Sequence, residues 1–131
     1  MNILIADDEP RYRDLMAIFI EKLPEHTLTM AANGQEAWVL LSDPEKRFDV
    51  AFLDIKMPLM TGLDVLKRLG ESDRHRSIET VMCTSRNDRT TIGEAIGLGA
   101  RHYIVKPWTE TVIVNKLQQI AAGRNTRHKS T

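Results

Sequence analysis

The chain has 131 residues, with 18 Lys or Arg residues and 18 Asp or Glu residues, so its formal net charge is zero. A length of this order suits one domain, and the content of 42% hydrophobic and 27% charged residues predicts a packed core rather than wholesale disorder. Zero net charge argues against a protein whose main task is to bind nucleic acid or an anionic membrane.

Apolar runs alternate with segments of helical periodicity along the first part of the chain. The run at residues 3–6 predicts a strand buried on both faces. Pro10 then begins an amphipathic segment, whose apolar residues recur at helical spacing until Pro24. Alternation at residues 27–32 predicts a half-exposed second strand, and residues 35–42 predict a second helix.

The rest of the chain repeats the same alternation. Three further apolar runs predict strands, at residues 50–53, 81–83 and 103–105. Three further periodic segments predict helices, at residues 61–69, 88–98 and 109–122. Five repeats of strand and helix predict an α/β fold, a doubly wound five-stranded parallel sheet with helices on both faces.

We predict a single domain over residues 1–122. Residues 123–131 contain three basic side chains and no acid, which predicts a polar basic tail that is disordered or is a truncated linker. The longest apolar run, at residues 15–20, is far below the roughly 20 residues that span a bilayer, and the amino terminus has no basic signal region. These features predict a soluble, cytoplasmic protein.

Polar side chains stand directly after the predicted apolar strands. In chain order they are Asp7, Asp8, Asp54, Thr84 and Lys106. Because the carboxyl ends of parallel strands lie at one edge of an open sheet, we expect these side chains to converge there. Their convergence, rather than any one residue, indicates a functional site.

Three carboxylates close together repel one another, and a hard divalent cation relieves that repulsion. Oxygen ligands alone favour Mg²⁺ or Mn²⁺ over zinc. A metal-bound carboxylate flanked by an ammonium and a hydroxyl suits the handling of a phosphoryl group. In this interpretation Asp54 is the nucleophile that forms an acyl phosphate, while Lys106 and Thr84 contact the phosphoryl oxygens.

These residues and their neighbours resemble the receiver domain of two-component response regulators, including the single-domain chemotaxis type. The segments that carry the resemblance are Asp7-Asp8, residues 49–54, Met57-Pro58, Gly62, Thr84, Gly99-Ala100 and residues 103–107. The resemblance extends from residue 2 to about residue 122. It implies the flavodoxin-like strand order 2-1-3-4-5 and a phosphorylation-dependent signalling switch.

The resemblance also implies the roles of the site residues. Asp54 would be the phosphoacceptor, and Asp8 and Asp54 would bind Mg²⁺ directly. Asp7 would act through a water molecule, and the backbone carbonyl of Lys56 would be a further ligand. The bond between Lys106 and the proline after it is expected to be cis.

Two further pairs of residues take expected roles from the resemblance. Thr84 and Lys106 would hold the phosphoryl group. Thr84 and Tyr103 would form a switch pair, in which the hydroxyl moves toward the phosphoryl group and the ring turns inward. Lys56 and Arg86 would flank the path of the hydrolytic water, and two long cations there predict a comparatively stable phosphoprotein.

The implied partners are a histidine kinase or histidine phosphotransfer protein as donor and an unknown downstream protein. The downstream protein would read the surface of the fourth helix, last strand and fifth helix. No enzymatic activity is implied beyond the domain's own phosphoryl transfer and autodephosphorylation, and no direct binding to nucleic acid or membrane. The sequence leaves open whether the domain acts alone or is the N-terminal receiver of a longer transcriptional or enzymatic regulator.

Other functions fit the residues less well. A Mg²⁺-dependent aspartyl-phosphate phosphatase needs a second Asp two residues after the nucleophile, where this chain has Lys56. A flavin mononucleotide carrier needs a phosphate loop after the first strand, where the acids at residues 7–9 would repel a phosphate. A degenerate receiver that serves only as an interaction module is not favoured, because all the site residues are present.

Three side chains also have simpler structural interpretations. Tyr103 also fits a role in core packing alone, as a Tyr on a last strand often has. Trp108 is predicted to cover the edge of the sheet. Cys83 is predicted to be a small buried hydrophobe rather than a reactive thiol.

Overall fold

The computed structural model of the protein describes residues 1–75, 77–85 and 89–129. The strands are β1 (Asn2–Ala6), β2 (Thr27–Ala31), β3 (Val50–Asp54), β4 (Glu79–Thr84) and β5 (His102–Val105). The helices are α1 (Pro10–Glu21), α2 (Gly34–Ser42), α3 (Gly62–Gly70), α4 (Arg89–Gly97) and α5 (Glu110–Lys129), and a short 3₁₀ helix, Asp73–His75, precedes β4. Among the described helices, none combines the length and hydrophobicity that a bilayer-spanning segment needs.

The five strands form one parallel sheet in the order β2-β1-β3-β4-β5. This arrangement confirms the predicted fold class and the order 2-1-3-4-5. The register places Ala6 of β1 beside Leu53 of β3, and Thr84 of β4 beside Val105 of β5. The residues that follow these positions therefore emerge along one edge of the sheet.

Alternate residues of the central strands enter two separate apolar layers, because side chains of a strand point to opposite faces. On one face, Ile5 and Phe52 pack with residues of α1 and α5. On the other face, Leu4 and Leu53 pack with residues of α2 and α3. Burial on both faces explains why the strands appear in the sequence as continuous apolar runs.

The last helix differs from the prediction. It reaches Lys129, so the expected helix end at residue 122 is wrong, while the description of residues 123–131 as a disordered tail or truncated linker stays a prediction. A glycine within a helix costs only about 1 kcal/mol, so Gly123 does not have to end one. Beyond it, the Arg124 guanidinium lies 2.9 Å from Asp49 Oδ1 and donates a 2.9 Å hydrogen bond to the Ser77 carbonyl. The domain limit at residue 122 remains a prediction.

The loop between β3 and α3 brings its backbone close to the end of the central strand. The amide of Gly62 donates to the Ile55 carbonyl at 3.0 Å, and a Cβ at Gly62 would meet the Asp54 carbonyl oxygen. A capping box begins α3 at this point, in which Thr61 Oγ1 accepts from the Asp64 amide and Asp64 Oδ2 accepts from the Thr61 amide. Gly62 therefore lets the helix start directly against Asp54.

We expect Gly62→Ala to lower the free energy of unfolding by about 1–3 kcal/mol, because the added methyl group displaces the backbone of β3. The matched control is Gly93→Ala in α4, where a Cβ would have no described atom within 4 Å. That change should raise the free energy by about 0.5–1 kcal/mol. Urea denaturation measures both values, and equal stability of the two variants would contradict the close approach.

Candidate functional site

Three carboxylates meet at the carboxyl edge of the sheet. Asp7 and Asp8 follow β1, and Asp54 ends the neighbouring strand β3. One oxygen from each carboxylate lies within 4.8 Å of the other two. Asp7 and Asp54 are only 1% and 7% exposed, whereas Asp8 is exposed. The structure thus brings together the acids that the sequence placed at strand ends, with one of them open to solvent.

The Lys106 ammonium lies within this acidic cluster. Its Nζ is 2.7 Å from Asp7 Oδ2, 3.1 Å from Asp54 Oδ2 and 3.2 Å from Glu9 Oε2. The peptide bond between Lys106 and Pro107 is cis, which confirms that expectation. The role of Glu9 was not predicted, although three consecutive acids after β1 could have suggested it. Lys106 therefore binds a carboxylate with each of its three N–H groups.

The electrostatics of the cluster follow from burial and crowding. Burial, followed by the charge of Asp7, raises the pKa of Asp54 to about 7, although Lys106 acts in the opposite direction. Burial lowers the pKa of Lys106, but its hydrogen bond to Asp7 and the nearby carboxylate charges outweigh burial and raise that pKa overall. Lys106 therefore stays cationic, while its single charge does not offset all the carboxylates around it.

The donor set fits a hard divalent cation. The cluster offers one carboxylate oxygen from each of three aspartates as metal ligands. None of its members is a cysteine or a histidine. Mg²⁺ and Mn²⁺ prefer oxygen ligands, and Mg²⁺ retains several waters, which the exposed position of Asp8 permits. A cation here would relieve the repulsion that raises the pKa of Asp54.

The two predicted switch residues differ in their placement. Thr84 is 2% exposed, and its hydroxyl donates to the Ser85 carbonyl at 3.1 Å. It lines a cavity of about 260 Å³ together with Asp54 and Lys106. Tyr103 is 52% exposed and instead lines a small depression beside α4. The structure therefore brings Thr84 to the site and leaves the Tyr103 ring on the surface.

One of the two residues expected to tune the lifetime lies in the described part of the chain. Lys56 is exposed and lines the same cavity as Asp54. Arg86 lies outside the described residues. The proposed role of the Lys56 carbonyl as a metal ligand stays a prediction.

Two aromatic residues, Tyr12 and Trp108, lie near Lys106. The Lys106 Nζ is 4.2 Å from the centroid of the Tyr12 ring. Trp108 is 3% exposed. Its ring centroid lies 5.2 Å from that of Tyr12 and 6.1 Å from that of Phe19, and both of these residues belong to α1. Trp108 is therefore a core residue packed against α1, next to the edge strand β5. The sequence indicated only that Tyr12 lies on the apolar face of α1.

Cys83 is 1% exposed, and burial raises the pKa of its thiol well above the usual range. A thiol that stays protonated is a poor nucleophile and metal ligand. This confirms the prediction that Cys83 is a small buried hydrophobe.

Comparison with known proteins gives a consistent result. The sequence profile of the response regulator receiver domain matches residues 3–118. Chemotaxis protein CheY1 of Helicobacter pylori is 31% identical over 125 residues, which cover 95% of this chain and 99% of that protein. Transcriptional regulatory protein SrrA of Staphylococcus aureus is 33% identical over 119 residues, which cover 91% of this chain but 47% of that protein.

The fold also matches solved structures. The chemotaxis response regulator CheY4 of Vibrio cholerae superposes with a TM-score of 0.82 at 25% sequence identity. The superposition covers 91% of this chain and 97% of that chain.

We expect Asp54→Asn to raise the melting temperature by about 3 °C or more at pH 8 in chelator, because the substitution removes one charge from the cluster. A carboxyl whose pKa is higher in the folded than in the unfolded state favours folding at a pH where it is protonated. Its contribution is lost as pH rises from about 4, the unfolded value, through about 7, the folded value. Mg²⁺ should in turn raise the melting temperature of the wild type more than that of Asp54→Asn.

Differential scanning fluorimetry from pH 5 to 8, with and without Mg²⁺, measures these effects. The control Asp14→Asn changes an exposed acid of α1 and should behave as the wild type. Identical pH profiles and Mg²⁺ responses for Asp54→Asn and the wild type would contradict the electrostatic account.

Proposed function

The chain belongs to the response regulator receiver domain family, and on this basis we propose that Asp54 is its phosphoacceptor. Receiver domains of this kind are phosphorylation-dependent signalling switches, and this chain is one of them. One observation carries the assignment of Asp54: its carboxylate lies among Asp7, Asp8 and the Lys106 ammonium. It lies at the edge of the sheet where ligands of open α/β folds bind.

Receiver domains bind Mg²⁺ at an aspartate cluster, and the cluster described here has the oxygen ligands that such a site needs. We propose that Asp8 and Asp54 bind Mg²⁺ or Mn²⁺ directly, that Asp7 acts through a water molecule and that the Lys56 carbonyl is a further ligand. When bound, the cation supplies positive charge that offsets the charge of the phosphoryl oxygens.

The chemical step follows from the position of Asp54. One of its carboxylate oxygens forms a bond to phosphorus while the bond between phosphorus and the donor nitrogen breaks. The donor nitrogen recovers its electron pair, and Asp54 becomes an acyl phosphate. Lys106 lies 3.1 Å from Asp54 Oδ2, so its N–H groups can transfer from the carboxylates to the phosphoryl oxygens. The Thr84 hydroxyl can rotate from the Ser85 carbonyl to donate to the same oxygens.

We propose that the movement of Thr84 is transmitted to the surface through Tyr103. Thr84 pairs with Val105 in the sheet, and Tyr103 lies two residues earlier on the same strand. The exposed ring lines a depression of about 80 Å³ beside α4, toward which it would turn. Each element of the proposed output surface carries one exposed apolar side chain: Ile96 on α4, Tyr103 on β5 and Val112 on α5. A downstream protein would read the change at this surface.

Receiver domains are phosphorylated by histidine kinases or phosphotransfer proteins, and we propose one of these as the donor for this chain. The Helicobacter relative supports a domain that acts alone, because the match covers nearly all of it. The Staphylococcus relative supports the alternative of a receiver in a longer regulator, because the match covers about half of it. In either case the domain is a switch, whose only proposed catalysis is phosphorylation and dephosphorylation of itself.

Phosphorylation by a small phosphodonor tests the assignment of Asp54. With Mg²⁺ and acetyl phosphate or phosphoramidate, intact-mass spectrometry should show one phosphoryl group per chain. Asp54→Ala lacks the nucleophile and should not be labelled, and the wild type in excess chelator should label about 100-fold more slowly, because it lacks the cation that offsets the charge of the phosphoryl oxygens. The control Asp14→Ala should label normally. Equally fast labelling of Asp54→Ala would contradict the proposal.

The lifetime of the phosphoprotein tests the role of the cationic side chains. Hydrolysis needs a water in line with the bond between the Asp54 oxygen and phosphorus. Lys56 cannot act as a base, and it slows hydrolysis if it contacts the phosphoryl oxygens more strongly in the ground state than in the transition state. We therefore expect Lys56→Asn to speed loss of phosphate, and Lys56→Asn/Arg86→Glu to speed it further.

Autodephosphorylation rates after removal of the phosphodonor measure this effect, with Lys67→Asn as a control on an exposed face of α3. A combined change below about threefold, which is less than about 1 kcal/mol of barrier, would show that these two residues do not set the lifetime.

A further inference from the structure

The ammonium of Lys106 lies over the face of the Tyr12 ring. Its Nζ is 4.2 Å from the ring centroid. The Lys106 side chain is 12% exposed and Tyr12 is 6% exposed, so water is largely excluded from this contact. A cation within about 6 Å of an aromatic face is attracted by the negative charge of the π system, and exclusion of water strengthens the attraction.

The Tyr12 ring is itself held in place. Its backbone amide donates to the Glu9 carbonyl at 3.1 Å, near the start of α1. Its other contacts include the Trp108 ring, at a centroid distance of 5.2 Å and an interplanar angle of 52°. Arg11 lies 5.0 Å from the same ring, but its side chain is 74% exposed and its attraction is therefore screened by water. Of these two cations, the largely buried Lys106 is the one that the Tyr12 ring attracts more strongly.

The carboxylates and the ring hold Lys106 in different ways. Asp7 and Asp54 bind its N–H groups, and both carboxylates are also needed by the proposed cation and phosphoryl group. Those bonds must be exchanged when the site is used. The ring is neutral, takes no N–H group away from a phosphoryl oxygen and does not bind a divalent cation in competition. It therefore keeps its attraction for the ammonium before and after phosphorylation.

We propose that Tyr12 is a positioning residue for Lys106, which holds the ammonium beside Asp54 while its hydrogen bonds pass from the carboxylates to the phosphoryl group. The inference rests on the proposed function for the identity of the ligand, but not for the contact itself. Tyr12 does not touch the phosphoryl group, and it acts through the lysine.

A structural role in the core is the alternative, and Phe19 offers a matched control. Phe19 is 9% exposed, belongs to α1 and packs against Trp108, as Tyr12 does. Among the described residues, the Lys106 ammonium lies over the Tyr12 ring and not over the Phe19 ring. Phe19→Leu and Tyr12→Leu therefore remove a comparable buried ring, and Tyr12→Leu alone removes the contact with the ammonium.

The contact can be measured without phosphorylation. In the wild type, the ring current of Tyr12 should shift the NMR resonances of the Lys106 side chain upfield. That shift should persist in Tyr12→Phe and Phe19→Leu and be lost in Tyr12→Leu. An unchanged Lys106 resonance in a folded Tyr12→Leu variant would overturn the inference.

The functional effect can be measured with beryllofluoride, a phosphoryl mimic, in the presence of Mg²⁺. Tyr12→Leu should bind it about three- to tenfold more weakly than the wild type, because the Lys106 side chain is then no longer held in place and must be ordered on binding. Tyr12→Phe and Phe19→Leu should stay within about twofold. Lys106→Ala gives the baseline affinity without the ammonium. Equal weakening in Tyr12→Leu and Phe19→Leu would assign Tyr12 to the core alone.

Should Tyr12→Leu fail to fold, fluorinated phenylalanines at position 12 preserve the shape of the ring and reduce its negative charge stepwise. Affinity for beryllofluoride should fall with each added fluorine, and a constant affinity would overturn the inference. A wild type that does not bind beryllofluoride at all would instead contradict the proposed function, and the NMR result would still decide whether Tyr12 positions Lys106.

Discussion

Four carboxylates, those of Asp7, Asp8, Glu9 and Asp54, share one edge of the sheet with the largely buried Lys106 ammonium, and the other features of the site depend on this crowding of negative charge. Lys106 contacts Asp7, Asp54 and Glu9, but its one positive charge is shared among three carboxylates. Burial prevents water from compensating fully, and the pKa of Asp54 rises accordingly. Without a ligand, repulsion among the carboxylates therefore lowers the stability of the fold. A ligand that adds positive charge raises it. The same repulsion favours a cation and, with it, a phosphoryl group.

The scaffold keeps these charges together because its strands cannot shift independently. Residues of the central strands are buried on both faces, so a slip of one residue would exchange two complete apolar layers. The close approach of Gly62 to Asp54 adds a second constraint on the end of β3. Apolar packing of the two layers therefore keeps the like charges close to one another. The packing can do so because the charged site occupies only one edge of the sheet.

The sequence predicted the parts of the site that depend on strand order and failed on those that depend on helix orientation. Asp7, Asp8 and Asp54 follow apolar runs directly, and parallel topology alone brings strand ends together. The contacts of Lys106 with Glu9 and Tyr12 depend on how α1 lies against the end of β5, which apolar periodicity does not specify. Gly123 and the polar composition after it predict a helix end, whereas α5 continues past this glycine and Arg124 makes long-range contacts there.

The contact of Trp108 with Tyr12 has an optical consequence. The indole lies 5.2 Å from the Tyr12 ring, and the Lys106 ammonium lies 4.2 Å from the centroid of the same ring. Emission from an indole shifts in energy with nearby charge and quenching groups, and Trp108 is shielded from solvent. Trp38, the other indole, lies on α2 beside His75 and can be replaced by Phe to leave one emitter. Trp108 is therefore an intrinsic fluorophore near Lys106. Its emission wavelength and fluorescence lifetime can report changes at the site in real time without an added label.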